Sequence, residues 1–229
     1  MFRLINHSRA FVLCLLSSLG TLGLVSLSGC GHTPITLTFY EAAGIDKRTN
    51  LDSFKLNPSL RYLRVTIKDK PLLMVLGYTE TLPQGTLDTW YSNQGEVLQL
   101  LNGRVWSTAG LAIDWKNVRF EVLPTWSKLT SQGSAQFLRT HDQMPGYAMG
   151  IQQNVHIYSV SAPAQSNLVG LPATQLKWFE EKVVSTKSDT LPSARYGIAL
   201  KDGQPVQVYG EQCFSNELCF SWQAWPVVP

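Results

Sequence analysis

The chain has 229 residues, of which 44% are hydrophobic and 15% are charged, and its formal net charge at pH 7 is +3. Arg3 and Arg9 lie in a leader that contains no acidic residue, and without them 17 basic residues face 16 acidic ones. This near balance predicts no basic surface and no nucleic-acid partner. No apolar run after the leader reaches 18 residues, so the sequence predicts no transmembrane helix there.

The first residues have the pattern of a bacterial processing signal. Two arginines precede an apolar run from residue 11 to residue 27, which ends in Leu27-Ser28-Gly29-Cys30. This ending resembles a lipobox, although an ordinary signal peptide or an uncleaved membrane anchor are alternatives. Cleavage of residues 1–29 leaves Cys30 as the N-terminus, where its thiol carries diacylglycerol and its amine a further chain such as palmitate.

The residue after Cys30 bears on the destination of the protein. Two or more acyl chains anchor a protein stably where one is marginal. Gly31, rather than Asp, follows Cys30, and by resemblance to enterobacterial sorting rules this favours the outer membrane. We therefore expect a lipid-anchored protein on the periplasmic face, with residues 30–57 as tether and entry segment and residues 58–229 as one β domain.

From residue 61 onward, apolar alternation and turn residues recur roughly every ten residues. This spacing predicts an all-β fold, a single-domain antiparallel meander that forms a curved sandwich or a partly open barrel with at most one or two short helices. The predicted strands are 61–69 and 72–80, joined by a turn at 68–71; a set within 90–115; then 114–122, 135–142, 147–160, 196–201, 205–209 and a hairpin over 212–225. Residues 175–185 are compatible with a strand or a helix, and the β-branched Val183-Val184 favour the strand.

The stretch from Trp90 to Trp115 organises the prediction. Asn102-Gly103 between apolar runs is the strongest hairpin signal in the chain, since both residues accept positive φ. We expect two hairpins here, near the middle of the sheet. Strand alternation places Arg104 and Trp106 on one face. Arg104 is then either a solvated strand-end charge beside an outward Trp106, or it binds a carboxylate, for which Asp114 is the first candidate.

Cys213 and Cys219 form an even pair once Cys30 carries lipid. Five residues separate them, including the turn-like Ser215-Asn216-Glu217. In an oxidising compartment this spacing predicts a hairpin closed by a local disulfide. A metal pair is the alternative, but no nearby His or Cys completes a metal site.

Several short motifs carry a resemblance to a known family. Gly103-Arg104-Val105, Thr108-Ala109-Gly110-Leu111 and Asp114, followed by Arg119-Phe120, resemble the core of the YjbF/GfcB family of group 4 capsule or exopolysaccharide lipoproteins. The resemblance covers roughly residues 55 to 200, and the C-terminal part departs from it. It implies a role in polysaccharide production or export, with export proteins or polysaccharide as partners. The candidate contact residues are Gly103, Arg104, Trp106, Thr108, Gly110, Leu111 and Asp114.

The sequence offers no catalytic set, cofactor motif or metal site. His141-Asp142, expected at a turn, is the closest approach to part of a triad, but no Gly-x-Ser-x-Gly motif accompanies it. Glu180 and Glu181 alternate faces on a strand, so they cannot jointly flank a sugar bond. We therefore expect a non-catalytic accessory protein. The alternatives are a carrier that shelters an acyl chain or lipoprotein in a hollow half-barrel, and a polysaccharide-modifying enzyme.

The seven tryptophans, residues 90, 106, 115, 126, 178, 222 and 225, admit two interpretations. As core residues they bury large apolar areas, whereas as an exposed platform they stack on sugars. Core filling is the expectation for most of them, with Trp222 and Trp225 the least secure core members.

Overall fold

A computed structural model describes residues 51, 55–184 and 191–227. Cys30 and the leader lie outside the described residues, so the lipobox and the tether stay predictions.

Twelve antiparallel strands form one sheet that is nearly closed into a barrel. Their order in the sheet is β5-β4-β3-β2-β1-β12-β11-β10-β9-β8-β7-β6, so the first and last strands pair in its middle. The strands are β1 Tyr62–Ile67, β2 Lys70–Leu82, β3 Gly85–Ser92, β4 Val97–Leu101, β5 Arg104–Ala109, β6 Asp114–Phe120, β7 Ser134–Met144, β8 Ala148–Val160, β9 Lys177–Val184, β10 Ala194–Lys201, β11 Gln204–Cys213 and β12 Cys219–Trp225.

The all-β antiparallel meander is confirmed in its partly open barrel form. One positional expectation is wrong: β5 lies at one edge of the sheet order, not near the middle, and β6 lies at the other edge. The cause is the pairing of β1 with β12, which places the first and last strands in the middle of the sheet order and leaves β5 and β6, adjacent in sequence, as its edges.

Tight turns set the register of several hairpins. Asn102 and Gly103 have φ of 49° and 79°, and Asp202 and Gly203 have φ of 51° and 75°. Turns of this kind match the twist of antiparallel strands. The turn predicted over residues 68–71 is shorter than expected, because Pro71 already belongs to β2, opposite Thr66.

The interior of the barrel is filled by large side chains. Trp115, Trp222, Tyr196 and Phe179 are among the largest fully buried residues and belong to the main core. Trp178 is equally buried, but it packs with Leu176 and Tyr209 in a separate cluster. Trp222, expected to be one of the two least secure core members, is 1% exposed and is a core residue, whereas Trp106 and Trp225 are half-buried.

An apolar cleft between β1, β2, β4 and the turns beside them measures about 250 Å³ including its open part. It has room for about one water molecule. The packed interior and this small cleft do not support a hollow carrier.

A short helix, α1 (Trp126–Gln132), covers the end of the barrel where the β4–β5 turn lies. The Thr125 side chain accepts a hydrogen bond from the Lys128 N–H, and Gly133 ends the helix with φ of 82°. Trp126 is buried, and its indole N–H donates to the Asn102 carbonyl at 2.9 Å. Among the described residues no helix is long and apolar enough to cross a bilayer.

Candidate functional site

The two edge strands, β5 and β6, lie side by side without a backbone ladder between them. Hydrogen bonds that involve side chains join them instead. Ser107 donates its hydroxyl to the Trp115 carbonyl at 3.3 Å, and the Trp115 N–H donates to the Thr108 hydroxyl oxygen at 3.1 Å. We call this junction the seam.

One end of the seam is tied by Asp114. Its carboxylate accepts from the Thr108 hydroxyl at 2.8 Å, from the Gly110 N–H at 3.1 Å and from the Leu111 N–H at 3.3 Å. We call Thr108, Gly110, Leu111 and Asp114 the clasp. Four candidate contact residues thus meet in one short loop, where they connect the two edge strands.

The clasp leaves little room for other side chains. Gly110 has φ of 84°, and a Cβ there would lie 3.1 Å from the Gly95 carbonyl oxygen. Lys116 on β6 donates its ammonium to the Thr108 carbonyl. Thr108 is therefore held through both its side chain and its backbone, and it is 1% exposed.

The expected alternation along β5 is wrong, because a bulge interrupts it at Trp106. Leu100 pairs with Val105 and Gln99 with Ser107, so Trp106 is the extra residue. Arg104 and Val105 are both buried, and Trp106 is half-buried with its ring 6.1 Å from that of Phe120. A bulge rotates the strand, which ends the simple two-face pattern.

An open groove lies at the seam on the side of Trp106. Its volume is about 800 Å³ including the space open to solvent, and its lining comes from β4, β5 and β6. We call it the seam groove, lined by Gln99, Trp106, Ser107, Asn117, Val118 and Arg119. An indole, two amides, a hydroxyl and a guanidinium are groups that suit a ligand rich in hydroxyls with apolar ring faces.

The β6 side of the groove is also irregular. Lys116 pairs with Asp142 and Arg119 with Thr140, so the ladder skips Asn117, which has φ of 51°, and Val118. Arg119 is exposed, and within the described residues no hydrogen bond or ion pair holds its guanidinium. Its five donors are therefore available to a ligand.

Next to the groove, Asp142 is already occupied by neighbours in the protein. It accepts from the Asn117 side-chain amide at 2.7 Å and from the Gly150 N–H at 2.7 Å. The hydrogen bond from Asn117 is the main cause that lowers the pKa of Asp142. This carboxylate is well suited to orienting Asn117 and poorly suited to accepting a proton from a substrate.

His141 lies within β7, so its expected position at a turn is wrong. It is 1% exposed, and its ring lies 4.2 Å from that of Trp115. Burial, reinforced by the nearby positive charge of Arg139, lowers the pKa of His141 to about 4. His141 is thus a packing residue, whose neutral imidazole is buried against the Trp115 ring.

Arg104 is not a solvated strand-end charge, and it does not bind Asp114. It is 1% exposed, with its guanidinium carbon 3.8 Å from the Trp126 ring centre and 5.7 Å from that of Tyr196. Burial lowers its pKa from the ordinary value. Gly103, just before it, has φ of 79°, and a Cβ there would lie 2.1 Å from the Gln207 side-chain oxygen.

The predicted disulfide between Cys213 and Cys219 is present. The two residues are register partners on β11 and β12, with their Cα atoms 4.0 Å apart. The hairpin they close carries Phe214, whose ring stacks on Trp115 at 4.3 Å. The disulfide thus supports the β6 side of the seam from inside.

Of the groove residues, only Trp106 was among the candidates from the sequence. Gln99 and Asn117 were missed, and Arg119 was named only within the family motif, because the groove joins β4 and β5 to β6 and this adjacency depends on the barrel. A weak signal was available in Lys116-Asn117, where a residue that tolerates positive φ interrupts an otherwise alternating strand.

A model of the family of group 4 capsule polysaccharide lipoproteins, described as GfcB and YjbF, matches residues 55–207. The crystal structure of the hypothetical lipoprotein YmcC from Escherichia coli K12 is similar, with a TM-score of 0.58 at 14% identity over 88% of this chain and 100% of that one. That likeness shows a shared fold. No curated protein matches the chain.

Proposed function

Because the chain belongs to the YjbF family of group 4 capsule polysaccharide lipoproteins, we propose that it is a non-catalytic outer-membrane lipoprotein that faces the periplasm and binds a segment of polysaccharide. The observation that carries the proposal is the seam groove, which is open, polar and lined by an indole and by a guanidinium that forms no hydrogen bond or ion pair within the described part of the chain.

The chemistry of the groove supports a glycan ligand. Trp106 offers an aromatic surface to the apolar face of a sugar ring, and its contact with Phe120 limits its movement. Gln99 donates its amide to the Thr89 hydroxyl at 3.1 Å, and Asn117 is tied to Asp142, so both amides are oriented before a ligand arrives. Such preorganisation lowers the entropy lost on binding.

The groove also supports a non-catalytic role. None of its lining residues is a carboxylate, a histidine or a cysteine. Glycoside hydrolysis generally uses two carboxyl groups on opposite sides of the scissile bond. Glu181, one of the two adjacent glutamates in β9, is buried in an ion pair with Arg139, and Glu180 accepts from the Tyr158 hydroxyl at 2.7 Å. Both are thus engaged within the protein.

Binding can be measured with polysaccharide purified from the strain that makes this protein. We expect Trp106→Leu and Arg119→Ala to weaken binding by about tenfold each, which corresponds to about 1.4 kcal/mol. Trp225→Leu and Arg61→Ala are matched controls, since Trp225 is also half-buried and Arg61 is also exposed. Unchanged affinity in both groove variants, or equal losses in the controls, would reject the groove as the binding site.

The anchor is tested separately. Wild-type protein should fractionate with the outer membrane, and Cys30→Ala should abolish processing and lipid attachment. A Cys30→Ala protein that is still processed and membrane-bound would refute the lipobox.

The cellular role is tested by deleting the gene and measuring surface and secreted polysaccharide under inducing conditions. We expect a changed amount or length of polysaccharide, restored by the wild-type gene but not by the Trp106→Leu and Arg119→Ala double variant. Unaltered polysaccharide in the deletion strain would contradict the proposal.

A further inference from the structure

Three ionisable side chains lie together inside the barrel, near the end covered by α1. Arg104, Arg139 and Glu181 are 1%, 3% and 3% exposed. Arg139 donates to Glu181 at 2.5 Å, and the Tyr196 hydroxyl donates to the other Glu181 oxygen at 3.4 Å. Glu181 therefore neutralises Arg139, and the positive charge of Arg104 has no matching negative charge in this group.

The guanidinium of Arg104 also lacks acceptors. Among the described residues none accepts a hydrogen bond from its Nε, Nη1 or Nη2. An arginine does not lose its proton in a protein, so burial cannot be relieved by neutralisation. The contacts with Trp126 and Tyr196 attract the cation through the ring faces. Ring faces leave the in-plane N–H groups without acceptors, and a buried unsatisfied charge is strongly unfavourable.

Two further buried donors, the Gln207 amide nitrogen and the Trp222 indole nitrogen, have no acceptor among the described residues. A Cβ on Gly210 would lie 2.8 Å from that Gln207 nitrogen and 2.4 Å from the Trp222 indole carbon that bears the nitrogen, so both donors border one point. A Cβ on Gly103, the residue before Arg104, would lie 2.1 Å from the Gln207 side-chain oxygen, so Gln207 lies beside the start of β5. The Tyr196 ring centre is 5.7 Å from the Arg104 guanidinium carbon and 6.3 Å from the Trp222 ring, so Arg104 and Trp222 share this neighbour.

We propose that Arg104, Gln207 and Trp222 form a buried binding site for one small monovalent anion, a halide or a small carboxylate. One uncompensated positive charge calls for one negative charge. The donors come from β5, β11 and β12, so a bound anion would join the edge strand β5 to the paired strands β11 and β12 through the barrel interior. The close packing at Gly103 and Gly210 restricts the ligand to a small ion. This site is independent of the seam groove and of the proposed polysaccharide role.

Bromide is the probe, because it can be located by anomalous scattering. In crystals grown in sodium bromide we expect a bromide ion at hydrogen-bond distance from Arg104 and from at least one of Gln207 and Trp222. Arg104 nitrogens bonded instead to oxygen atoms of the chain, or to ordered water alone, would overturn the proposal.

Thermal unfolding tests the same site in solution. When bromide or acetate replaces the bulkier gluconate at constant ionic strength, the unfolding temperature should rise with the logarithm of the anion concentration, since ligand binds the folded state. Gln207→Leu should require about tenfold more anion for the same rise, through loss of one donor to a charged group.

Arg104→Met and Arg119→Met are the matched pair. Arg104→Met removes the buried charge and should abolish the response to bromide, whereas Arg119→Met removes an exposed charge and should leave it unchanged. If Arg104→Met does not fold, Gln207→Leu and Trp222→Phe decide the question. A response of wild-type size in both of those variants, or no response in the wild type, overturns the site.

Discussion

The two ends of the seam differ although the same two strands form them. At the clasp, the Asp114 carboxylate at the start of β6 accepts three hydrogen bonds, one from the Thr108 side chain on β5 and two from N–H groups of the connection, and the strands are tied together. At the groove, bulges in both strands displace Trp106 and Asn117 from the regular pattern. The strands there are separated by polar surface.

This difference shows how a nearly closed barrel can keep one junction open for a ligand. A regular backbone ladder between β5 and β6 would pair their facing N–H and C=O groups and leave no groove between the two strands. The clasp joins β5 to β6 at one end of the seam, so the rest of the seam does not have to hold the two strands together. Thr108, Gly110, Leu111 and Asp114 of the motif thus fall on the closure, while the groove combines Trp106 and Arg119 with residues outside the motif.

Asp114→Ala is expected to have the largest effect, because it removes all three hydrogen bonds of the clasp. We expect a loss of about 4 kcal/mol in the free energy of unfolding, measured with urea. Asp88→Ala is the matched control: Asp88 accepts from Thr79 at 2.6 Å on the exposed outer surface, so its loss should be below about 1 kcal/mol. Similar losses in the two variants would mean that the clasp is not special.

The free energy of unfolding should depend on pH through His141, which packs against Trp115 beside the clasp. Its pKa is about 4 in the folded protein and about 6.5 in the unfolded chain, so the unfolded chain binds the proton first. The stability that neutral His141 contributes is complete above about pH 6.5 and is lost as the pH falls towards 4, by about 3 kcal/mol in total. His141→Phe keeps a ring against Trp115 and should flatten this dependence. An unchanged pH profile would contradict the assignment.

Removing the disulfide should have an intermediate effect. The Cys213→Ser and Cys219→Ser double variant opens a short loop, for which we expect a loss of about 2 kcal/mol in denaturant unfolding. Because Phe214 in this loop stacks on Trp115, the loss should be smaller when Asp114→Ala is already present. Strict additivity of the two changes would show that loop and clasp act independently.

The smallest effect on stability is expected at the groove. Arg119→Ala should change the free energy of unfolding by less than about 0.5 kcal/mol, because Arg119 is exposed and no hydrogen bond or ion pair among the described residues holds it. Its positive charge contributes to the lowered pKa of Asp142, but solvent screens this interaction. The same variant is expected to lose polysaccharide affinity. A large loss of stability would show that Arg119 helps to hold β5 and β6 together. The two ends of the seam would then not differ in the way described.

Local sequence patterns were enough to predict most strands, the main turns and the disulfide, although residues 175–185 were compatible with a strand or a helix. Alternation and turn residues are local, so Asn102-Gly103 and Asp202-Gly203 could be placed without knowledge of the fold. The pairing of Cys213 with Cys219 was equally accessible, since six positions separate the two residues. The family was accessible as well, because its motif residues lie within a short stretch of β5 and β6.

The environment of Arg104 and the position of the seam follow only from the tertiary structure. Alternation assumes one solvent face, but α1, from a segment with no strand pattern, covers the end of the barrel and buries Arg104 against Trp126. The pairing of β1 with β12 made β5 and β6 the edges. Both depend on contacts between residues far apart in the chain, where local propensity carries no information about which surfaces meet.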